Sequence, residues 1–179
     1  MEDTEILADK VMEQQKRVQF MTFQCAGEIY GISLDNVNEI IGLQQYTEIP
    51  ETEDFIRGLI NLRGKIIPII DVRIRFGKEP LAYNDRTSVI VVQLKDTVIG
   101  LIVDGIEGVA EVVEDEIIPP PSVSNLEKQS RKYVYGIGRV NGETKLLINL
   151  EKLLFCSDED GKEYVGQEDA EDDGEDAEE

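Results

Sequence analysis

Apolar and polar residues alternate with a period of two along most of the chain, and this pattern predicts β-strands. The run "RVQFMTFQCA", which begins at Arg17, has apolar side chains on both faces, as expected of a strand that is buried on both sides. The turn "AGE" and the run "IYGISL" follow, so the two runs form a predicted hairpin. In residues 1–16 the apolar spacing fits a short amphipathic helix instead, and we interpret this segment as an N-terminal extension.

The segment "LDNVNEIIG" changes the period of its apolar residues. Asp35 suits the N-cap of a helix. Val37, Ile40 and Ile41 would then fall on one side of that helix. Gly42 is a residue type that commonly ends helices. The pattern therefore predicts a short helix over residues 35–42.

The run "GLINLRGKIIPII" predicts a second hairpin, with strands at residues 58–62 and 65–70. Arg63 and Gly64 form its turn, in which glycine supplies the positive φ that a tight turn needs. That requirement does not explain an arginine in so apolar a run. Pro68 lies in the second strand and has no backbone N–H, so we expect it at a sheet edge or a bulge.

The second half of the chain repeats the style of the first. The runs "SVIVVQL", "TVIGLIVDGI" and "GVAEVV" are predicted strands, and "YVYGIGRVN" and "TKLLINL" form a hairpin around Asn141 and Gly142. In each half a strand pair is followed by Asp or Asn and a short helical turn, "DVRIRFG" or "INLEKLLF". The predicted fold class is therefore all-β with short helices, arranged as two similar small β-barrels in one domain.

The formal net charge of −20 is distributed unevenly along the 179 residues. Residues 157–179 carry −12 and the rest of the chain carries −8. Because the last segment is so charged and so poor in apolar residues, we predict a disordered acidic tail there. An acidic protein is a poor match for nucleic acid or for an anionic membrane surface. With no apolar run of about 18 residues and no basic-then-apolar start, we expect a cytoplasmic protein without membrane insertion.

The sequence contains no histidine, which excludes Ser-His-Asp and Cys-His triads and histidine-ligated zinc. The two cysteines, Cys25 and Cys156, are far apart in apolar surroundings, and we interpret them as buried thiols. The glycine-rich run "GIGRVNG" lacks the spacing of a phosphate-binding loop. We therefore expect no metal, no cofactor and no catalytic site, and a small enzyme of unknown type stays open as an alternative.

Five motifs in this order give the chain a family resemblance: "VNEIIG", "FIRGLINLRGKIIPIIDVRIRFG", "VIVVQL", "GLIVDGIEGVAEV" and "GIGRVNGETKLLINLEKLL". Together they resemble the CheW-like domain family of bacterial chemotaxis adaptors, from about Arg17 to Phe155, and we set the domain at residues 17–156. The resemblance implies two intertwined, five-stranded SH3-like barrels. It also implies a non-catalytic adaptor that is a monomer when free, couples methyl-accepting chemoreceptors to the histidine kinase CheA, and is recruited to receptor arrays at the inner face of the membrane. A CheW-like scaffold of a different chemosensory-type pathway is the alternative.

The resemblance also assigns residues that face the receptor, whose hairpin tip is expected in the groove between the barrels. The matching positions are Val37, Glu39, Ile40 and Arg63. An arginine suits such a place because its guanidinium pairs bidentately with a carboxylate or with backbone carbonyls. The alternatives are a solvated turn residue or an internal salt bridge for Arg63, and a partly buried position for Ile40 and its neighbour Ile41.

The CheA-facing side is assigned in the same way. The regulatory domain of CheA is expected to meet the apolar barrel ends, and Arg57 and Gly58 match positions near the kinase. The alternative for Gly58 is a backbone position that tolerates no side chain.

Overall fold

The computed structural model describes residues 15–121 and 132–155 of the chain. The predicted N-terminal helix and the predicted acidic tail lie outside the described residues, except for Gln15 and Lys16. The strands are β1 Arg17–Cys25, β2 Glu28–Ser33, β3 Val37–Gly42, β4 Ile56–Leu62, β5 Lys65–Asp71, β6 Ser88–Leu94, β7 Thr97–Val103, β8 Gly105–Val113, β9 Val134–Val140 and β10 Glu143–Ile148. The α-helices of these ranges are α1 Val72–Arg75 and α2 Leu150–Phe155.

The strands form two five-stranded sheets of matching topology. The first sheet has the order β8-β1-β2-β10-β9, and the second has the order β3-β6-β7-β5-β4. Each sheet has one parallel pair, β2 with β10 or β5 with β7. In the part of the chain that the structure describes, no strand pairing joins the two edge strands of either sheet. The two sheets correspond to the two SH3-like barrels, so the predicted fold class is confirmed.

The two halves of the chain exchange strands. The hairpin β1–β2 belongs to the first sheet, whereas β3, β4 and β5 cross to the second. The hairpin β6–β7 belongs to the second sheet, whereas β8, β9 and β10 return to the first. Neither half therefore completes a sheet alone, and this exchange is what makes the two barrels intertwined.

Within the described ranges, apolar side chains form three clusters, one between the sheets and one inside each barrel. The central core takes residues from both sheets, and the second-barrel core and first-barrel core lie on the opposite faces of their sheets. In β6, Ile90 and Val92 face the central core, whereas Val89 and Val91 face the second-barrel core. Strands that are buried on both faces must be apolar at successive positions, which explains the long β-branched runs in the sequence.

The hairpins β4–β5 and β9–β10 occupy equivalent places in the two sheets. Their second strands each pair in parallel with the central hairpin of the sheet. Arg63 and Gly64 form the turn of one, and Asn141 and Gly142 form the turn of the other. The pairing also skips one residue at the same place in the two edge strands, Arg57 in β4 and Tyr135 in β9. Equivalent positions in the two hairpins can therefore be compared residue by residue.

The helix predicted over residues 35–42 is wrong. Leu34–Asn36 forms one 3₁₀ turn, and Val37–Gly42 is the strand β3, which pairs with β6. A bulge between Val37 and Glu39 adds one residue to β3. It brings Val37 and Ile40 to the same face at a spacing of three residues, which imitates the period of a helix.

The sheet edge or bulge predicted for Pro68 is also wrong, because β5 lies between β7 and β4 and the register shift of the β4–β5 pairing lies between Ile56 and Gly58. The physical reason for that prediction nevertheless holds locally. Pro68 is opposite Leu59 on the β4 side, and the pairing with β7 begins only at Ile69. The missing N–H of the proline therefore falls just outside the parallel ladder.

Both predicted helical turns are confirmed. The carboxylate of Asp71 accepts from the backbone N–H of Ile74 at 3.3 Å and caps α1. The side-chain oxygen of Asn149 accepts from the N–H of Lys152 at 3.0 Å at the start of α2. None of the helices in the described ranges has the length and apolar character needed to cross a membrane.

Candidate partner-binding surfaces

The turn between β4 and β5 places Arg63 against the edge strand β3. Its Nη1 and Nη2 donate to Oε1 and Oε2 of Glu39 at 2.7 and 2.8 Å. The Arg63 side chain is 76% exposed, and that of Glu39 is 26% exposed. This bidentate pair is the internal salt bridge that the sequence left open for Arg63. It brings together two of the residues that were predicted to face the receptor.

The ion pair spans the open side of the second sheet. Glu39 lies on the edge strand β3, and Arg63 follows the other edge strand, β4. Since no backbone pairing joins these strands within the described ranges, the two side chains supply a direct link between them. An exposed pair of this kind contributes only about 0–1 kcal/mol to folding. Binding of a partner that rearranges this ion pair would therefore cost the protein little of its folding stability.

A cavity of about 440 Å³ opens beside the ion pair. It is lined by Asn38, Glu39, Leu62, Arg63, Lys65, Ile67, Val91, Gln93, Asp96 and Val98. All of these residues belong to the second sheet or its turns, so the cavity is the mouth of one barrel and does not lie between the barrels. Its floor is apolar, and its rim is charged. The predicted receptor groove between the barrels is a different place from this cavity.

The other predicted receptor residues lie on the edge strand β3, where alternate side chains face either the central core or the second barrel. Val37 is partly buried against the central core, and Ile41 is partly buried against the second-barrel core. Ile40 lies opposite the central-core residue Ile90, yet it is 39% exposed. Val37 and Ile40 therefore share the face between the barrels, while Glu39 lies on the barrel-mouth face.

Gly58 has a structural role in the β4 edge strand. A Cβ at this position would overlap the backbone carbonyl oxygen of Thr47. That carbonyl accepts from the N–H of Leu59 at 2.8 Å, so the loop before β4 is held against the strand. The alternative for Gly58, a backbone position without room for a side chain, is what the structure supports.

Arg57 is the residue that the β4–β5 pairing skips. Its Nε is buried and has no hydrogen-bond partner among the described residues. Burial acts to lower the pKa of Arg57, but a hydrogen bond with Tyr46 and nearby Tyr83 and Asp71 outweigh it and raise that pKa. Arg57 is thus a cation held beside a cluster of phenolic and carboxylate oxygens.

The end of the first barrel carries an apolar groove of about 400 Å³. Its exposed members include Ile118, which is 56% exposed, and Tyr135, which is 45% exposed. The backbone of Ile118 exchanges two hydrogen bonds with Ile137 of β9, at 2.7 and 3.1 Å, which fixes this segment against the sheet edge. Tyr135 is the equivalent of Arg57, since each is skipped in its hairpin pairing.

A buried arginine, Arg75, was missed in the sequence. It is only 5% exposed, and its Nε donates to the carbonyl oxygen of Leu153 at 3.0 Å, which joins α1 to α2. The guanidinium carbon lies 4.4 Å from the ring centroid of Phe55 and 5.2 Å from that of Tyr133. An arginine in a short helical turn is usually solvated, so only the aromatic residues distant in sequence could have signalled its burial.

Asp104 ties the two sheets together where the chain passes from β7 to β8. Its Oδ2 accepts from Nη2 of Arg73 at 2.7 Å and from the N–H of Ala26 at 2.9 Å. Cys25 is fully buried, as predicted, and burial, followed by the nearby Asp104 carboxylate, raises the pKa of its thiol to about 12. The other predicted buried thiol, Cys156, lies outside the described residues. No group of three or more Cys, Asp or Glu side chains able to hold a metal occurs within residues 15–121 and 132–155.

Comparisons with known proteins agree with this architecture. Residues 19–155 match the family model of the CheW-like domain. The chain is 38% identical over 136 residues to the chemotaxis protein CheW of Klebsiella aerogenes, covering 76% of this chain and 81% of that protein. It is 28% identical over 137 residues to protein PilI of Pseudomonas aeruginosa, covering 73% and 74% of the two chains.

A solved structure matches as well. The crystal structure of the scaffolding protein TtCheW from Thermoanaerobacter tengcongensis superposes with a TM-score of 0.70 at 35% identity, covering 78% of this chain and 93% of that one. The family match spans both sheets and both helices, from β1 to α2. The chain therefore belongs to the CheW-like domain family of chemotaxis scaffold proteins.

Proposed function

We propose that this chain is a non-catalytic adaptor that couples chemoreceptors to the histidine kinase CheA. The observation that carries the proposal is that apolar side chains are exposed at separate places on a family scaffold whose own cores are filled. Ile40 is exposed on the second sheet, and Ile118 is exposed at the end of the first barrel. Two such surfaces suit a protein that holds two partners at once.

The receptor surface combines the face between the barrels with the rim of the second barrel. Val37 and Ile40 offer apolar contact on β3, and the Glu39–Arg63 pair offers charge beside them. A receptor hairpin tip would pack its apolar residues on β3 while its polar groups meet the exposed guanidinium. The tip would thereby be positioned without any chemical step.

The CheA surface is assigned to the barrel ends. The groove at Ile118 and Tyr135 is the apolar end of the first barrel. Arg57 occupies the equivalent place on the second sheet, and Gly58 leaves room for the adjacent loop to approach at Thr47. Contacts at both barrel ends would allow one adaptor to meet two kinase domains and so to close a ring with them.

Two reciprocal variants test the proposal. Titration calorimetry with a receptor signalling fragment and with the CheA regulatory domain gives both affinities for each folded variant. We expect Ile40→Lys to lose receptor binding and keep CheA binding, and Ile118→Lys to do the reverse, because each places a charge in one apolar surface only. If the unmodified protein retains neither partner, the proposal is wrong. If one variant abolishes both affinities, the two partners share one surface.

A scaffold of a different chemosensory-type pathway is the second candidate. The similarity to protein PilI is the observation behind this alternative, because it shows that the chain also resembles a protein that is not named CheW. Co-purification of the chain with its kinase, followed by mass spectrometry, separates the two candidates. Recovery of a kinase other than CheA would favour the second.

A further inference from the structure

The hairpin β4–β5 exposes an isoleucine, Ile66, next to its turn. Ile66 is 61% exposed, the largest exposed fraction among the large apolar side chains that the structure describes. Its strand neighbours Ile67 and Ile69 are buried in the second-barrel core. Because side chains alternate along a strand, Ile66 points to the opposite face. That face is the one on which Ile70 of the same strand enters the central core.

Ile66 therefore lies on the same face of the second sheet as Val37 and Ile40. The central core covers the middle of this face, where Ile70, Leu101 and Ile90 pair across β5, β7 and β6. Ile66 lies four residues from Ile70, beyond the part that the first sheet covers. The face between the barrels thus continues outward as an exposed apolar surface at the β4–β5 hairpin.

The fold does not require an apolar residue at this position. The equivalent residue of the first sheet is Thr144, which is opposite Arg139 as Ile66 is opposite Asn61. Thr144 is exposed as well. A threonine has the same β-branched preference for strands as isoleucine, so the strand would form equally well with a polar side chain there.

The charges around Ile66 indicate the kind of partner. Arg63 and Lys65 are both exposed on the hairpin, in a chain whose net charge is −20. Arg63 is already paired with Glu39. Lys65 has no carboxylate within ion-pair distance among the described residues. Lys65 lines the barrel mouth, on the face opposite to Ile66, so a partner that reaches across the hairpin with an apolar side chain for one face and a carboxylate for the other would complement this site.

We propose that Ile66, flanked by Lys65, is a further receptor contact and extends the surface of Val37, Ile40 and Arg63 along the hairpin. The occupant is a receptor helical hairpin tip that presents an apolar side chain to Ile66 and a carboxylate to Lys65. This inference rests on the proposed adaptor function, because it assigns a new residue to the same receptor surface. No contact with CheA is assigned to Ile66.

Ile66→Thr is the direct test, since it gives β5 the residue that β10 carries at the same place. Calorimetry with the receptor signalling fragment should show an affinity about fivefold to tenfold lower, because one apolar contact is lost. Thermal stability and CheA affinity should stay unchanged. Leu81→Thr is the matched control, because Leu81 is 53% exposed in the loop between α1 and β6 and should leave receptor binding unchanged.

Lys65→Gln tests the predicted carboxylate. Receptor affinity should fall about threefold at low salt and should match the unmodified protein at high salt, because screening weakens an exposed charge pair. If Arg63→Ala weakens receptor binding while Ile66→Thr does not, the inference is wrong and the proposed function stands. If the unmodified protein binds no receptor fragment, both are overturned. Equal losses in Ile66→Thr and Leu81→Thr would also contradict the inference.

Discussion

The hairpins β4–β5 and β9–β10 have the same backbone but different turn chemistry. Arg63 and Gly64 have φ values of 53° and 84°, and Asn141 and Gly142 have φ values of 50° and 78°. Asparagine tolerates the left-handed region, whereas arginine has no side-chain group that favours it. The β9–β10 hairpin therefore carries a residue suited to the turn, and the β4–β5 hairpin carries one that costs about 1 kcal/mol of backbone strain.

The difference extends to the strand beside each turn. In the second sheet Arg63 pairs with Glu39 of the edge strand β3. The equivalent edge strand of the first sheet is β8, and its residue at the position of Glu39 is Gly108. The first sheet therefore has no carboxylate there to pair with Asn141. Because both hairpins form with the same pairing across their turns, the fold does not itself require the arginine and its partner, and the proposed receptor surface would give them a role.

The largest expected effect in this comparison concerns the glycines of the two outer strands. Gly58→Ala should lower the free energy of unfolding by about 2–4 kcal/mol, because its Cβ would overlap the rigid carbonyl of Thr47. The equivalent Gly136→Ala meets Cγ2 of Ile117 at 2.6 Å, an atom of a partly buried side chain that can shift more easily than a hydrogen-bonded backbone carbonyl. We expect about 1–2 kcal/mol there. Urea unfolding of both variants measures the difference.

If Gly58→Ala and Gly136→Ala lower the free energy of unfolding equally, the loop at Thr47 moves as easily as a side chain does. The same pair tests the assigned role of Gly58 towards CheA. If Gly58→Ala binds the CheA regulatory domain normally per folded molecule, the glycine acts only through the fold. If it folds normally and loses CheA binding, Gly58 lies in the interface.

Arg63→Ala gives the next largest effect, on binding and not on folding. Receptor affinity should weaken by about 1–3 kcal/mol, because a charged hydrogen-bonding group is lost from a partly desolvated surface. Thermal stability should change by no more than about 0.5 kcal/mol. Asn141→Ala is the control in the β9–β10 hairpin and should leave receptor affinity unchanged. A sharp fall in the melting temperature of Arg63→Ala with unaltered receptor affinity would make the residue structural.

Much of the fold could be predicted because local patterns determine it. Hairpin turns at Gly64 and Gly142 and the cap at Asp71 follow from backbone requirements that few residue types meet. The bulge in β3 could not be predicted, since it depends on pairing with β6, a strand about 50 residues away. Because of this bulge, the apolar residues of the edge strand β3 have the spacing of a helix.

The candidate site was predictable only in part, for a similar reason. Arg63 stood out because nothing in its local sequence required it. Its partner Glu39 lies in another strand, and the burial of Arg75 depends on Phe55 and Tyr133, so both follow from tertiary contacts. The exchange of strands between the two halves was implied by family resemblance and not by the alternation of residues, because either pairing would bury the same faces.

Exchanging the turn residue should have a smaller effect on folding. Arg63→Asn gives the β4–β5 hairpin the turn residue of the β9–β10 hairpin. Relief of the left-handed strain and loss of the exposed ion pair oppose each other, so stability should stay within about 0.5 kcal/mol of the unmodified protein. Thermal unfolding measures this, with Asn141→Arg as the reciprocal variant. Asn141→Arg should be destabilised, because Gly108 offers no carboxylate. If both exchanges destabilise equally, turn strain does not distinguish the hairpins.

The smallest expected effect concerns the strands that follow the two turns. Glu143 and Lys145 of β10 stand where β5 has Lys65 and Ile67. Lys145 Nζ donates to Oε2 of Glu143 at 2.8 Å, and this hydrogen bond lowers the pKa of Glu143 below its usual value.

The pH dependence follows from the direction of that shift. In the folded protein Glu143 stays ionised to a lower pH than in the unfolded chain. Its contribution to stability is therefore present above the usual glutamate pKa and is lost as the pH falls through the lowered one. The effect is small because Glu143 is exposed to solvent. Thermal unfolding should show Glu143→Gln slightly less stable than the unmodified protein near neutral pH, and equally stable in acid. Lys65→Gln should show no such dependence, since Lys65 has no carboxylate partner among the described residues. A stability difference for Glu143→Gln that persists unchanged into acid would mean that Lys145 does not stabilise the ionised carboxylate.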